Sequence, residues 1–176
     1  MNIKPLFEIQ RRLDERIIKE HGLEGKYLFD HKLMALKVEL GELANEWGMF
    51  KFWKKNPQPR TRALRKPVMM PEDQEWYNPL LEELVDVMHF LLSLGLERGW
   101  DRFIDYIDYK PYMDLLQFEN LLALFENSFI SSGDYCNAWK HFLSFGRQLG
   151  FTEQEILDAY MEKNRINHAR QESGVY

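Results

Sequence analysis

The stretch from Pro79 to Arg98, PLLEELVDVMHFLLSLGLER, limits what this chain can fold into more than any other. Wound as a helix at about 100° per residue, Leu80, Leu81, Leu84, Val85, Val87, Met88, Leu91 and Leu92 cover well over half its circumference. A helix so apolar has to be buried on most sides. Its polar positions Glu82, Asp86, His89 and Ser93 share one narrow strip, while Glu83 stands outside it with Phe90 and Val87 as its nearest angular neighbours. These acids are therefore expected to be at least partly buried. A buried, unpaired carboxylate is costly unless its pKa rises, a basic group pairs with it, or a metal ion binds it.

The helical period continues almost throughout, with no strand-like alternation and no Asn-Gly or Asp-Gly hairpin signal. Helices are expected over Pro5 to Glu20, stopping near Gly22 and Gly25, and over Asp30 to Trp47, ending at Gly48. The third runs from Pro79 to Arg98 and ends at Gly99. Three more follow near Pro111 to Ser131, Asp134 to Leu149 and Thr152 to Arg170, the last opened by a capping box of Thr152 and Glu155. The fold class is all-α: a helical bundle of about six helices, one domain over residues 1–176. The polar connection from Lys54 to Asn78 carries Pro57, Pro59, Pro67 and Pro71, with Pro79 directly after it, and holds Arg60, Arg62, Arg65 and Lys66. It reads either as a basic lid over a ligand or as a solvated linker.

Composition narrows the function classes. With 45% hydrophobic residues the chain is globular rather than disordered, and a net charge of −5 argues against a nucleic-acid polymer as partner. The single Cys136 excludes an internal disulfide and fits a reducing cytosol. No apolar run at the start suits a signal peptide, and the greasiest stretch, Val85 to Leu96, is broken by Asp86, His89, Ser93 and Gly95. The expected location is cytoplasmic, away from membranes.

In the second helix Leu36, Leu40, Leu43 and Trp47 step like a core stripe, and Glu39, Glu42 and Glu46 lie close to it. Glu39 and Glu42 are one turn apart, as are Glu83 and Asp86, so each pair projects from one side of its helix. Packed face to face, the two helices would gather four hard oxygen ligands, a set suited to Mg²⁺ or Mn²⁺. The competing reading makes both pairs solvated faces. On the last helix Tyr160, Lys163, Asn167 and Arg170 share one face with Asn164 at its margin. That donor-rich surface suits phosphate oxygens, although basic residues also favour the C-terminal turns of any helix. Phe50, Phe52 and Trp53, interleaved with Lys51, Lys54 and Lys55, either stack on a nucleobase and hold its phosphates or anchor the helix end. Gln10 and Asp14, one turn apart, offer polar groups to a base edge. The aromatic segment from Trp100 to Tyr112 has no assigned role; it reads as an interface between copies or as a docking site for another protein.

Together these motifs resemble the dimeric, all-α dUTPase family, within the all-α (MazG-like) NTP pyrophosphatase superfamily. The resemblance rests on E-x-x-E at Glu39 to Glu42, W-x-x-F-K-F-W at Trp47 to Trp53, E-L-V-D-x-x-H-F at Glu83 to Phe90 and K-N-x-x-N-x-x-R-Q-x-x-G at Lys163 to Gly174. It implies hydrolysis of dUTP to dUMP and pyrophosphate, with dUDP as a second substrate releasing phosphate, by a homodimer. It implies Mg²⁺, with Mn²⁺ as a substitute, on Glu39, Glu42, Glu83 and Asp86, and a proton acceptor among Glu39, Glu42 and Glu46. Lys163, Asn167 and Arg170, with Asn164 and Lys54, would meet the phosphates. Gln10, Asp14, Trp53, His89, Phe90 and Tyr160 would surround the deoxyuridine. Asp14 stands where the family pattern leads one to expect asparagine; its carboxylate can still accept the uracil N3–H. The alternatives are a related pyrophosphatase acting on another nucleotide such as dCTP, and a non-catalytic helical interaction module.

Overall fold

The computed structural model describes residues 1–66, 73–108 and 116–174. Part of the proline-rich connection, including Pro67 and Pro71, lies outside the described residues. So do the expected start of the fourth helix at Pro111 and the end of the aromatic segment at Tyr112. Six α-helices carry the fold: α1 (Lys4–Glu20), α2 (Phe29–Trp47), α3 (Pro79–Glu97), α4 (Gln117–Glu126), α5 (Ser132–Gln148) and α6 (Glu153–Ser173). The all-α expectation holds, with one addition. Within the connection, β1 (Ala63–Leu64) and β2 (Trp76–Tyr77) form a two-residue antiparallel pair, with Ala63 opposite Tyr77. The pair is too short to leave an alternating pattern in the sequence.

The most apolar helix takes the centre. α1, α2, α5 and α6 all pack on α3, and α4 packs on α5 and α2. Asn78 caps α3, its side chain accepting from the Leu81 N–H at 3.2 Å, and Pro79 fills the first helical position, where no N–H is needed. The stripe of α2 is buried as its spacing requires: Leu36, Leu40, Leu43 and Trp47 are at most 2% exposed. Each such leucine contributes about 1.5–3 kcal/mol by leaving water. α2 stops at Gly48, whose φ of 67° is left-handed. The capping box of α6 forms as read, Thr152 N–H donating to Glu155 Oε2 at 2.8 Å and Glu155 N–H to Thr152 Oγ1 at 3.2 Å.

Two segments of open role find places. Trp100, Ile104 and Ile107 turn into the core, and the backbone joins the N-terminus through Ile3 N–H to Asp105 O at 3.0 Å and Ile107 N–H to Met1 O at 2.9 Å. Phe103 and Tyr106 remain exposed. The described part of the basic connection is fastened: Arg60 N–H donates to Glu46 O, and Leu80 N–H to Arg60 O. Arg62 lies over the Trp76 ring at 4.0 Å and Arg65 over Tyr77 at 4.6 Å.

Close approach at the centre depends on one small residue. A Cβ on Gly95 of α3 would sit against the Tyr135 hydroxyl and within 2.8 Å of the Phe7 ring. Both neighbours are buried aromatics, and Tyr135 already donates to Leu91 O at 3.1 Å, so neither has room to give. Gly95→Ala should therefore destabilise the protein by about 1–3 kcal/mol, read as a shifted urea midpoint with an unchanged m-value. An unchanged midpoint would show that α3 tolerates the extra carbon.

Candidate active site

Four helices meet along the polar strip of α3. Its lower half, Glu82 and Asp86, turns to α6, where Lys163 Nζ donates to Glu82 Oε1 at 3.0 Å and Asp86 Oδ2 at 2.6 Å. Lys163 is only 8% exposed. Burial opposes its charge, but Asp86 and Glu82 outweigh burial and raise its pKa. For Asp86 burial is the larger influence and pushes the carboxyl up against the pull of Lys163.

Glu83, outside the strip, turns to α2. Glu39, Glu83 and Asp86 each offer a carboxylate oxygen within 4.8 Å of the others. Among the described residues, no basic side chain hydrogen-bonds to Glu39 or Glu83. Desolvation first, then the charges of Asp86 and Glu42, raise Glu39 to about 7. Glu83 rises to about 8 for the same reasons, with Glu39 adding to the repulsion. Glu42 is exposed and outside the tight set, yet near enough to act on both. These are hard oxygen donors kept close together at an electrostatic cost, which suits a divalent cation.

The strip's upper half, His89 and Ser93, turns to α1. Gln10 Nε2 donates to Asp14 Oδ1 at 2.8 Å, which leaves Gln10 Oε1 facing Tyr160 and His89. The Tyr160 hydroxyl donates to that oxygen at 3.1 Å, and His89 Nδ1 lies 2.8 Å from it. An amide oxygen only accepts, so His89 carries its proton on Nδ1 and presents a bare lone pair on Nε2. Burial holds this imidazole neutral, its pKa lowered to about 3. His89 Nε2 and Asn164 Nδ2 are buried and without a hydrogen-bond partner among the described residues. Each such atom costs about 1–3 kcal/mol until something fills it.

A cavity of about 340 Å³ opens beside this network, between α1 and α2 over α3. Ile17, Ile18, Ala35 and Phe90 give it apolar walls, and Asp14, His31, Lys32 and Ser93 supply its polar groups. Its size falls within the roughly 300–1,000 Å³ of small-molecule sites.

The structure thus brings together Gln10, Asp14, Glu39, Glu83, Asp86, His89, Phe90, Tyr160, Lys163 and Asn164 of the expected set, with Glu42 at the edge. Asn167 is half-buried and Arg170 exposed on the same helix, Arg170 close enough to favour the Asp86 charge. Glu46 Oε1 accepts from Arg60 at 3.0 Å, while its buried Oε2 has no hydrogen-bond partner among the described residues. Trp53 is 63% exposed, packs edge-on against Phe50 and Phe52, and does not line the Asp14 cavity. Lys54 lines a separate cavity with Glu46 and Arg60. Sequence reasoning missed Lys32, which lies two turns before Glu39 on the same face of α2, and gave Glu82 no partner.

The family model described as dUTPase matches residues 2–69 and 71–175. The chain belongs to the dUTPase family. Membership makes it an enzyme of the dUTP diphosphatase type with a nucleotide substrate. No curated protein matches the chain. Among the described residues of this dUTPase-family chain, no helix is long and apolar enough to cross a membrane.

The raised acids fix a pH dependence in metal-free enzyme. Folded Glu39 and Glu83 hold protons to about 7 and 8, whereas unfolded glutamates release theirs near about 4.3. The folded state thus binds more protons in between, and the stability this contributes is lost as pH rises towards 8. The lowered histidines, His89 and His141, act the opposite way below about pH 6.5, so the clean window is pH 6.5–8.5. With chelator present, Tm should fall across that window, and Glu83→Gln should flatten the fall. Parallel curves for the two proteins would contradict the assignment.

Proposed function

We propose that the enzyme hydrolyses dUTP to dUMP and pyrophosphate, and dUDP to dUMP and phosphate, with Mg²⁺ held by Glu39, Glu42, Glu83 and Asp86. The observation that carries this reading is the set of three carboxylates within 4.8 Å, two of them raised in pKa by burial and mutual repulsion, beside a buried lysine. Mutually repelling hard-oxygen ligands fit Mg²⁺, and Mn²⁺ would substitute. Bound there, the ion would neutralise phosphate charge and lower the pKa of an attacking water.

The chain's own groups do the rest. Lys163 has used two of its three N–H donors on Glu82 and Asp86, and offers the third to a phosphate oxygen. Asn167 and Arg170 extend that donor face along α6. The proton of the attacking water goes to one of Glu39, Glu42 and Glu46; Arg60 takes only one oxygen of Glu46 and its other is without a hydrogen-bond partner among the described residues. The Asp14 cavity takes the nucleoside, its apolar walls against the ring and sugar and its polar groups on the base edge. His89 Nε2 as acceptor and Asn164 Nδ2 as donor are the pair that a sugar hydroxyl satisfies. Trp53 and Lys54 reach the nucleotide only by movement of their loop, which their exposure permits. Homodimer assembly belongs to the same reading, and exposed Met34 and Val38 on α2 are apolar surface that a second copy would cover.

Two measurements test this. A panel of nucleoside triphosphates, assayed for pyrophosphate with and without Mg²⁺, should give dUTP turnover that stops without the ion. Glu42→Ala and Asp86→Ala should each lower kcat/KM by at least about 100-fold while keeping helical circular dichroism. Near-normal turnover in both variants would remove the metal assignment, and preference for dCTP would move the enzyme to the related pyrophosphatases.

A further inference from the structure

Lys32 of α2 belongs to no motif, yet it occupies the polar wall of the nucleoside cavity. Its Nζ lies 3.2 Å from Asp14 Oδ2 and 2.8 Å from Glu97 Oε2. Burial opposes its charge, but Asp14 and Glu97 more than offset this and raise its pKa. The side chain is 14% exposed, so the ammonium is held and not merely tethered.

The bonding leaves capacity on both partners. An ammonium has three N–H donors; Asp14 and Glu97 take two, and the third is unassigned. Asp14 Oδ2 accepts from Lys32 and from the Ser93 hydroxyl, while Oδ1 accepts from Gln10 alone and keeps a lone pair. The cavity wall therefore shows a free donor beside a free acceptor. Neither can reverse: an ammonium cannot accept, and a carboxylate in an ion pair does not donate. An amide at 14 would lack this polarity, because it can turn either its oxygen or its NH2 to a ligand.

Uracil and cytosine differ on the edge such a pair would meet. Uracil presents the O4 carbonyl beside an N3–H; cytosine presents an N4 amino group beside a bare N3. We infer that Lys32 is a base-reading residue: its ammonium, fixed beside the Asp14 carboxylate, takes the O4–N3–H edge of uracil and rejects the N4–N3 edge of cytosine. This rests on the nucleoside reading of the cavity given above. Against uracil the donor meets an acceptor and the acceptor a donor. Against cytosine two donors meet and two lone pairs meet, leaving buried polar groups without partners. The placement suits the task, since Lys32 lies two turns from Glu39 on one face of α2, about 10 Å along the axis. A nucleotide spans that order of distance between its base edge and its phosphates.

Steady-state kinetics on dUTP and dCTP separate this role from a structural one. Lys32→Met should lower the ratio of kcat/KM for dUTP over dCTP by at least about tenfold, chiefly through KM for dUTP. Lys32→Arg, which keeps the charge and the donors, should hold the ratio within about threefold of wild type. Should the methionine variant fail to melt cooperatively, Lys32→Gln is read in its place with the same expectation. Equal loss on both substrates, with the ratio unchanged, would overturn the inference and leave dUTP hydrolysis standing. A wild-type preference for dCTP would overturn both.

Discussion

Asp86 sits on a helix surrounded almost entirely by hydrocarbon, and Lys163 reaches it from α6 at 2.6 Å. The rest of the site is arranged around that charge pair. It fixes α6 against α3 and so sets Tyr160, one turn before Lys163, against the His89 ring at 4.4 Å. It answers one carboxylate of the cluster directly, and for Glu39 and Glu83 the pull of Lys163 is outweighed by burial and by repulsion from the neighbouring acids. Their pKa values of about 7 and 8 express that shortfall. Stability and the proposed activity thus pull against each other here, as expected where a site holds like charges together for a ligand to neutralise.

Above the acids, a second network of hydrogen bonds runs from an ion pair to neutral groups. Lys32 and Ser93 donate to Asp14, whose other oxygen orients the Gln10 amide, and that amide oxygen sets the His89 tautomer. The Asp14 carboxylate can only accept, which fixes the Gln10 amide with its NH2 towards Asp14 and its oxygen towards His89. The ring nitrogen left bare at the end is therefore a consequence of a carboxylate on another helix. His89 and Asp14 are far apart in sequence, and neither would show the connection alone.

This explains which parts were legible beforehand. Helix extents followed from apolar period and caps, because those are local: Gly48 ends α2, Thr152 with Glu155 opens α6, and Asn78 precedes Pro79. The union of Glu39 with Glu83 and Asp86 was legible because spacing fixes a face and the apolar girth of α3 dictates burial. What spacing cannot give is the partner across a gap. Lys163 read as a phosphate ligand, and the structure has it bonded to Glu82 and Asp86. Glu46 read as a candidate base, and Arg60, from a connection without periodicity, holds it. Trp53 shared a motif with the glutamates, but it lies past Gly48, where the chain leaves the helix and no spacing rule carries over.

The charge balance of the assembled site bears on how a nucleotide is bound. Five acidic side chains, Glu39, Glu42, Glu82, Glu83 and Asp86, face three basic ones, Lys163, Arg65 and Arg170. Arg65 itself is shared between Glu75 and Glu82, at 3.0 and 3.2 Å. A surplus of carboxylates repels a triphosphate, so basic side chains alone do not account for its binding in the proposed reaction. The nucleotide and its cations then enter as one set. Arg65 gives the basic connection a stake in that event, because Glu82 is ion-paired with both the loop's guanidinium and the Lys163 ammonium. A phosphate that draws Lys163 outward weakens its hold on Glu82 and changes what Glu82 offers to Arg65. In the proposed reaction the loop would thereby be coupled to the phosphates through a single carboxylate.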